Sequence, residues 1–271
     1  MTAIIVKSER CTGCGICSEV CPLRIITVDE ERGPRVEPLR EAFCIECGHC
    51  EACCPESALV LDIGGREAPQ ERVTTFSPDE IGFYMKNRRS VRHYKKEPVS
   101  REMIEAILDV ARYAPSGGNG QPVEWLVVYD PAKVRTLAGL TVDWMRHESA
   151  KESPVMPAAF LRGLIDSWDR GNDPVCRGAP HLLVAHIPGG QGSGPIDALI
   201  ALTYADLAAP AFGVGTCWAG FLSMAVPVWK PLREALALPE GRVYSYALMC
   251  GYPRFIPRRI PHRKPLRVNW Q

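Results

Sequence analysis

The chain has 271 residues, 46% apolar and 23% charged, with a formal net charge of +1. That balance excludes a charge-rich disordered polymer and allows one large or two modest globular domains. The opening MTAIIVKSER lacks the pattern of an export signal, and no run of about 18 apolar residues occurs, so neither secretion nor a membrane span is expected. Twelve cysteines in such a chain point to metal or redox chemistry in the cytoplasm rather than to disulfides. The charge is unevenly spread: residues 1–65 hold six Lys/Arg against eleven Asp/Glu, which leaves +6 for the rest. Two modules are therefore expected.

In chain order, the first pattern is C-x2-C-x2-C at Cys11, Cys14 and Cys17, closed by Cys21-Pro22. It returns 33 positions later as Cys44, Cys47, Cys50 and Cys54-Pro55, so the segment is an internal duplication. The segments after each proline, LRIITVD and ESALVLD, read as short strands, which predicts clusters held between two symmetric hairpins. A zinc site built from two CxxC pairs, or from a CxxC with histidines, fits this cadence poorly. The spacing resembles that of bacterial two-cluster ferredoxins, in which the fourth cysteine ligates the other cluster. That resemblance covers residues 4–63. It implies two [4Fe-4S] clusters, one on Cys11, Cys14, Cys17 and Cys54, the other on Cys44, Cys47, Cys50 and Cys21. Gly13, Gly15 and Gly48 would let the backbone turn close to the sulfides. Cys53 is expected to be a spare or buried thiol.

Residues 64–76, GGREAPQERVTTF, carry no apolar periodicity and read as a linker. The expected division is 1–65, a linker at 66–77, and a second domain at 78–271. Ser77-Pro78-Asp79-Glu80 has the form of a capping box with proline at the first helical position, opening a helix over 78–88. Beyond Ser100, Met103, Ile104, Ile107, Leu108 and Ala111 share one helical face. VEWLVVYD (123–130), HLLVAHI (181–187) and VYSYALMCGY (243–252) read as strands, and Ile196–Phe212 as an apolar helix that Pro210 ends or kinks. Mixed elements of this kind predict an α+β fold. The stretch at 140–180, with Trp144 and Trp168, reads as a helical insertion that either covers a ligand or simply packs.

No G-x-G-x-x-G, Walker A, H-E-x-x-H or G-x-S-x-G sequence occurs, so nucleotide-fold and hydrolytic chemistry have no foothold. Two basic segments stand out: Lys86–Arg92, with four cations around Ser90, and Arg254–Arg267, with six Lys/Arg and no acid. Convergent donors of this kind suit a phosphate; a solvated basic face is the other reading.

Five motifs then occur in order: RRSVRHY (88–94), APSGGNGQP (114–122), GVGTCWAGF (213–221), GYP (251–253) and HRKPL (262–266). Together they resemble the FMN-dependent nitroreductase family across residues 78–271, so the whole chain looks like a ferredoxin–nitroreductase fusion. The resemblance implies that Arg88, Arg89, Ser90 and Arg92 hold the FMN phosphate and ribityl chain. It places Asn119 against the flavin, the Ala219–Gly220 backbone near its ring, and Arg263 and Lys264 at the phosphate. It also implies a homodimer, with FMN built into the subunit interface. The expected activity is that of a cytoplasmic oxidoreductase. An external low-potential donor, with NAD(P)H as the other possibility, would reduce clusters and FMN, and FMN would reduce a small organic acceptor such as a nitroaromatic or quinone. The alternatives are a nonenzymatic electron carrier to a protein partner, or a specialised reductase for ene reduction, dehalogenation or flavin breakdown. No nucleic-acid or membrane partner is expected, no side chain is assigned as a general acid, and Cys217 reads as a packing residue.

Overall fold

The computed structural model describes residues 3–29, 33–62, 76–190 and 192–271. The chain forms two compact units, Met1–Thr75 with Gly118–Gly120, and Phe76–Gly117 with Gln121–Gln271. Of the stretch expected as a linker, 66–77, all but Phe76 and Ser77 lies outside the described residues.

The first unit runs β1 (Ala3–Val6), α1 (Ile16–Glu19), β2 (Ile26–Asp29), β3 (Gly33–Val36), α2 (Pro38–Glu41), α3 (His49–Ala52) and β4 (Leu59–Asp62). The duplication seen in the cysteines is also written in the backbone: α1 and α3, and β2 and β4, recur at the same offset of 33. Left-handed residues pair up as well, Gly15 (φ 76°) with Gly48 (71°), Gly13 (70°) with Glu46 (54°), and Arg24 (48°) with Ser57 (49°). The expectation of two hairpins is corrected. β2 and β3 form one, but β4 pairs antiparallel with β1 from the other end of the unit. The apolar AIIV run of β1 gives β4 its ladder, a pairing that no local turn signals. Ile25, Ile26 and Leu59 form a small core with Cys17 and Cys50.

The second unit contains α4 (Pro78–Asn87), α5 (Arg101–Ala111), β5 (Glu124–Val128), α6 (Pro131–Ser149), α7 (Ala158–Asp169), β6 (His181–Pro188), α8 (Gly194–Ala208), β7 (Gly215–Trp218), α9 (Gly220–Ala225), α10 (Lys230–Leu236) and β8 (Arg242–Gly251). The capping box forms as expected: Glu80 N–H donates to Ser77 Oγ at 3.2 Å, and Ser77 N–H to Glu80 Oε2 at 2.8 Å. Pro210 falls in a 3-10 turn, Ala209–Phe212, directly after α8.

The four strands form one antiparallel sheet in the order β5-β6-β8-β7. β6 is buried along nearly its whole length because both sheet faces are covered. Leu182 and Val184 face a core shared with Leu137, Leu161, Leu222 and Leu232 from α6, α7, α9 and α10. Leu183 and Ala185 face the opposite core, with Ile104 and Ile107 of α5 and Leu202 of α8. The architecture is the expected α+β. The 140–180 stretch supplies parts of α6 and α7, where Trp144 is buried in the first core and Trp168 lies under the Arg135 guanidinium at 3.7 Å. Both tryptophans pack. Gly194–Phe212 is apolar and long enough to cross a membrane by composition, but Ala198, Ala201, Leu202 and Ala205 are packed against the sheet.

Candidate functional site

The eight ligand-spaced cysteines divide into two quartets. Cys11, Cys14, Cys17 and Cys54 line one pocket, walled by Val6, Val28 and Leu59. Cys21, Cys44, Cys47 and Cys50 line a second, with Ile4, Ile26 and Leu61. Gly15 and Gly48 precede the two helical turns in left-handed geometry, so that each loop curls around its space. All eight are free thiols. Among the described residues no three His, Cys, Asp or Glu side chains converge as a single ion requires. Each quartet surrounds a volume instead, which is what a cubane with sulfide corners needs.

The sulfurs are also prepared for charge. Ala58 N–H donates to Cys54 Sγ at 3.2 Å, and the Ser18 and Glu51 N–H groups donate to Cys17 and Cys50. Burial pushes the Cys17 thiol up and the Cys50 thiol up to about 11. Either becomes a thiolate at neutral pH only when bound positive charge offsets that desolvation. Cys53 is exposed and ends α3.

In the second unit, the Arg88–Arg92 segment runs from the end of α4 to the edge of β7, where Val91 N–H donates to Thr216 O at 2.8 Å. Gly215 is required there: a Cβ on it would stand 2.4 Å from a Val91 methyl. Arg88 Nη1 pairs with Asp206 Oδ2 at 3.3 Å. Arg89 donates through Nη2 to Lys86 O, while its Nε is buried without a hydrogen-bond partner. Desolvation and the neighbouring Arg263 and Arg88 charges hold the Arg89 pKa below its usual value. Arg263, from the other end of the domain, thus lies within electrostatic reach of Arg89. Ser90 bonds the Cys217 side chain, and Arg92 and Arg177 lie within electrostatic reach of that thiol, whose pKa burial raises.

The remaining positions divide. Ala219 is fully buried and its N–H is used by Ala247 O at 2.9 Å. Gly220 heads α9, where first-turn N–H groups lack intrahelical acceptors, so it is the better placed of the two donors. Asn119 adopts a left-handed backbone, φ 55°, within the Gly118–Gly120 segment of the first unit. Lys264 lies in the exposed tail. The motif reading missed Asp206, which takes hydrogen bonds from Thr216 and Trp218 as well as Arg88. Its signal was present: a lone acid in the apolar run LTYADLAAPAF.

A model of the nitroreductase family matches residues 85–252, and one of the 4Fe-4S dicluster domain matches residues 10–59. The FMN reductase (NAD(P)H) of Bacillus subtilis strain 168 is 29% identical over 195 residues, 71% of this chain and 74% of that protein. An iodotyrosine deiodinase of Nematostella vectensis is 40% identical over 118 residues, 44% of each chain. A solved nitroreductase with bound FMN from Desulfitobacterium hafniense DCB-2 shares the fold, with a TM-score of 0.55 and 24% identity over 69% of this chain and 94% of that one.

Proposed function

The chain belongs to the nitroreductase family and carries a 4Fe-4S dicluster domain, and from that premise we propose an FMN-dependent reductase supplied with electrons through two [4Fe-4S] clusters. The observation that carries this reading is the partition of eight cysteines into two quartets, each around its own cavity. The functional division follows as a cluster domain at 1–65, a linker at 66–77 and a flavin domain at 78–271.

Bound here, the clusters would supply one-electron transfer and FMN two-electron hydride chemistry. The chain's own part is to hold and tune them. Cys11, Cys14, Cys17 and Cys54 take one cluster, and Cys21, Cys44, Cys47 and Cys50 the other. N–H groups aimed at Cys17, Cys50 and Cys54 stabilise the thiolates. Arg88, Arg89, Ser90, Arg92, Arg263 and Lys264 would hold the FMN phosphate and ribityl chain. The orphaned Arg89 Nε, under the influence of the Arg263 and Arg88 charges, is the feature that an anion would complete. Gly220, with a free first-turn N–H, and Ala219 would supply backbone to the flavin ring, and the family motif assigns Asn119 a flavin contact.

A second copy of the chain would close the flavin site. Ile81, Phe83 and Met85 on α4, Ile196 and Leu199 on α8, and Phe255 and Trp270 of the tail are exposed apolar side chains that a homodimer would cover. The donor is an external low-potential reductant or NAD(P)H, and the acceptor a small nitroaromatic or quinone. Similarity to an iodotyrosine deiodinase supports dehalogenation as a second reading. Twelve free cysteines accord with a reducing, cytoplasmic setting.

Anaerobic purification with iron, sulfide and flavin counted per chain tests the assignment. About eight irons and one FMN are expected; stoichiometric zinc without sulfide would refute it.

A further inference from the structure

Helix α8 packs its apolar face into the core, yet Asp206, only 5% exposed, sits between the buried Ala205 and Ala209. A buried carboxylate persists only where its oxygens are well satisfied. Asp206 meets that condition with three donors from two other segments. Thr216 Oγ1 donates to Oδ1, Trp218 Nε1 donates to Oδ2 at 3.2 Å, and Arg88 Nη1 stands 3.3 Å from Oδ2 and 3.5 Å from Oδ1.

The placement of these donors matters. Thr216 and Trp218 alternate along β7 and so present to the same face, while Cys217 between them faces the other core. Arg88 closes the end of α4 and opens the arginine segment that Val91 ties to Thr216 O. One carboxylate therefore fixes a guanidinium to a strand. A guanidinium has five N–H donors, so Arg88 held through Nη1 still has donors for another anion. Arg89 follows it in the chain and lies within electrostatic reach of both Arg88 and Arg263.

We propose that Asp206 is a positioning residue for FMN binding: anchored on Thr216 and Trp218, it holds Arg88 by one arm so that the rest of the guanidinium meets the phosphate beside Arg89 and Arg263. This rests on the FMN reading of the site. Charge alone gives the opposite expectation. A carboxylate close to a phosphate site repels the ligand, and removing it would tighten binding. The two effects therefore predict changes of opposite sign.

The test compares FMN with riboflavin, which lacks the phosphate, by flavin-fluorescence titration of the full chain with its clusters loaded. Asp206→Asn is expected to lower the FMN-to-riboflavin affinity ratio about tenfold, the size usual for coupling within one polar network. Thr216→Val, which removes one anchor and keeps the carboxylate, shifts the ratio the same way by less. In an Arg88→Gln background, Asp206→Asn has no further effect on the ratio. An unchanged or raised ratio in both Asp206→Asn and Thr216→Val overturns the inference, as does an equal loss of both flavins, which marks a structural role only. Arg89→Ala and Arg263→Ala separate the two levels. If they lower the ratio and Asp206→Asn does not, only the positioning role falls. If none of the variants lowers it, the phosphate reading falls too, and the inference with it.

Discussion

Arg263 of the C-terminal tail stands within electrostatic reach of Arg89, whose Nε is buried without a hydrogen-bond partner. A buried guanidinium nitrogen without a partner, under the charge of a second arginine, marks a place where an anion belongs. Arg89→Ala or Arg263→Ala should weaken FMN binding by about tenfold or more, the scale of a charge-assisted hydrogen bond. Millimolar inorganic phosphate should raise the thermal midpoint of the FMN-free protein, and lose that effect in either variant. Flavin titration and a thermal scan are the measurements.

The cysteine partition predicts unequal effects from adjacent residues. Cys54→Ser should damage the cluster shared with Cys11, Cys14 and Cys17 and remove about four of the eight irons. Cys53→Ser, at an exposed thiol outside both quartets, should leave the iron count unchanged. Iron and sulfide analysis of the two variants decides it.

Gly215→Ala and Gly15→Ala separate crowding from backbone strain. At Gly215 the added methyl meets Val91 at 2.4 Å, so the substitution should cost about 1–3 kcal/mol and release flavin by shifting the arginine segment. At Gly15 nothing lies within 4 Å of the added methyl. The cost there, about 1 kcal/mol, comes from a left-handed backbone alone, and should appear as faster cluster loss with flavin retained.

His181 and His186 are buried, and desolvation holds both pKa values below 6.5. His181 is fully used: Val99 N–H donates to Nε2, and Nδ1 faces Tyr129 O at 2.7 Å. Both rings stay neutral in the fold and gain protons first in the unfolded chain. Their contribution to stability is therefore complete above pH 6.5 and is lost as pH falls towards the folded values. The flavin domain should lose thermal stability between pH 7 and pH 5. His186→Leu, which also removes a buried Nδ1 without a partner, should lose less over the same range.

What could be read from the sequence was what local spacing dictates. The Ser77–Glu80 capping box, the α5 face and the strand at 181–187 follow from propensity and periodicity. So does the turn at Pro210. Pairing of β1 with β4 was hidden because it joins the ends of the first unit, and no turn encodes it. The Arg89–Arg263 proximity came only from family resemblance, since nothing local links those positions. Asp206 escaped because a carboxylate's worth depends on neighbours that the fold alone assembles, here Arg88, Thr216 and Trp218. The same dependence separates Ala219 from Gly220: a motif names both, but the ladder to Ala247 occupies one N–H.

The central claim is that the clusters feed the flavin. The most direct measurement mixes reduced ferredoxin anaerobically with the fully loaded chain and follows bleaching of the bound flavin. The comparison is a Cys14→Ser/Cys47→Ser variant that has lost its iron and kept its FMN. The expected result is rapid bleaching in the intact protein and none on that timescale in the variant, whose flavin photoreduction still bleaches. Equal rates in the two proteins would contradict the claim.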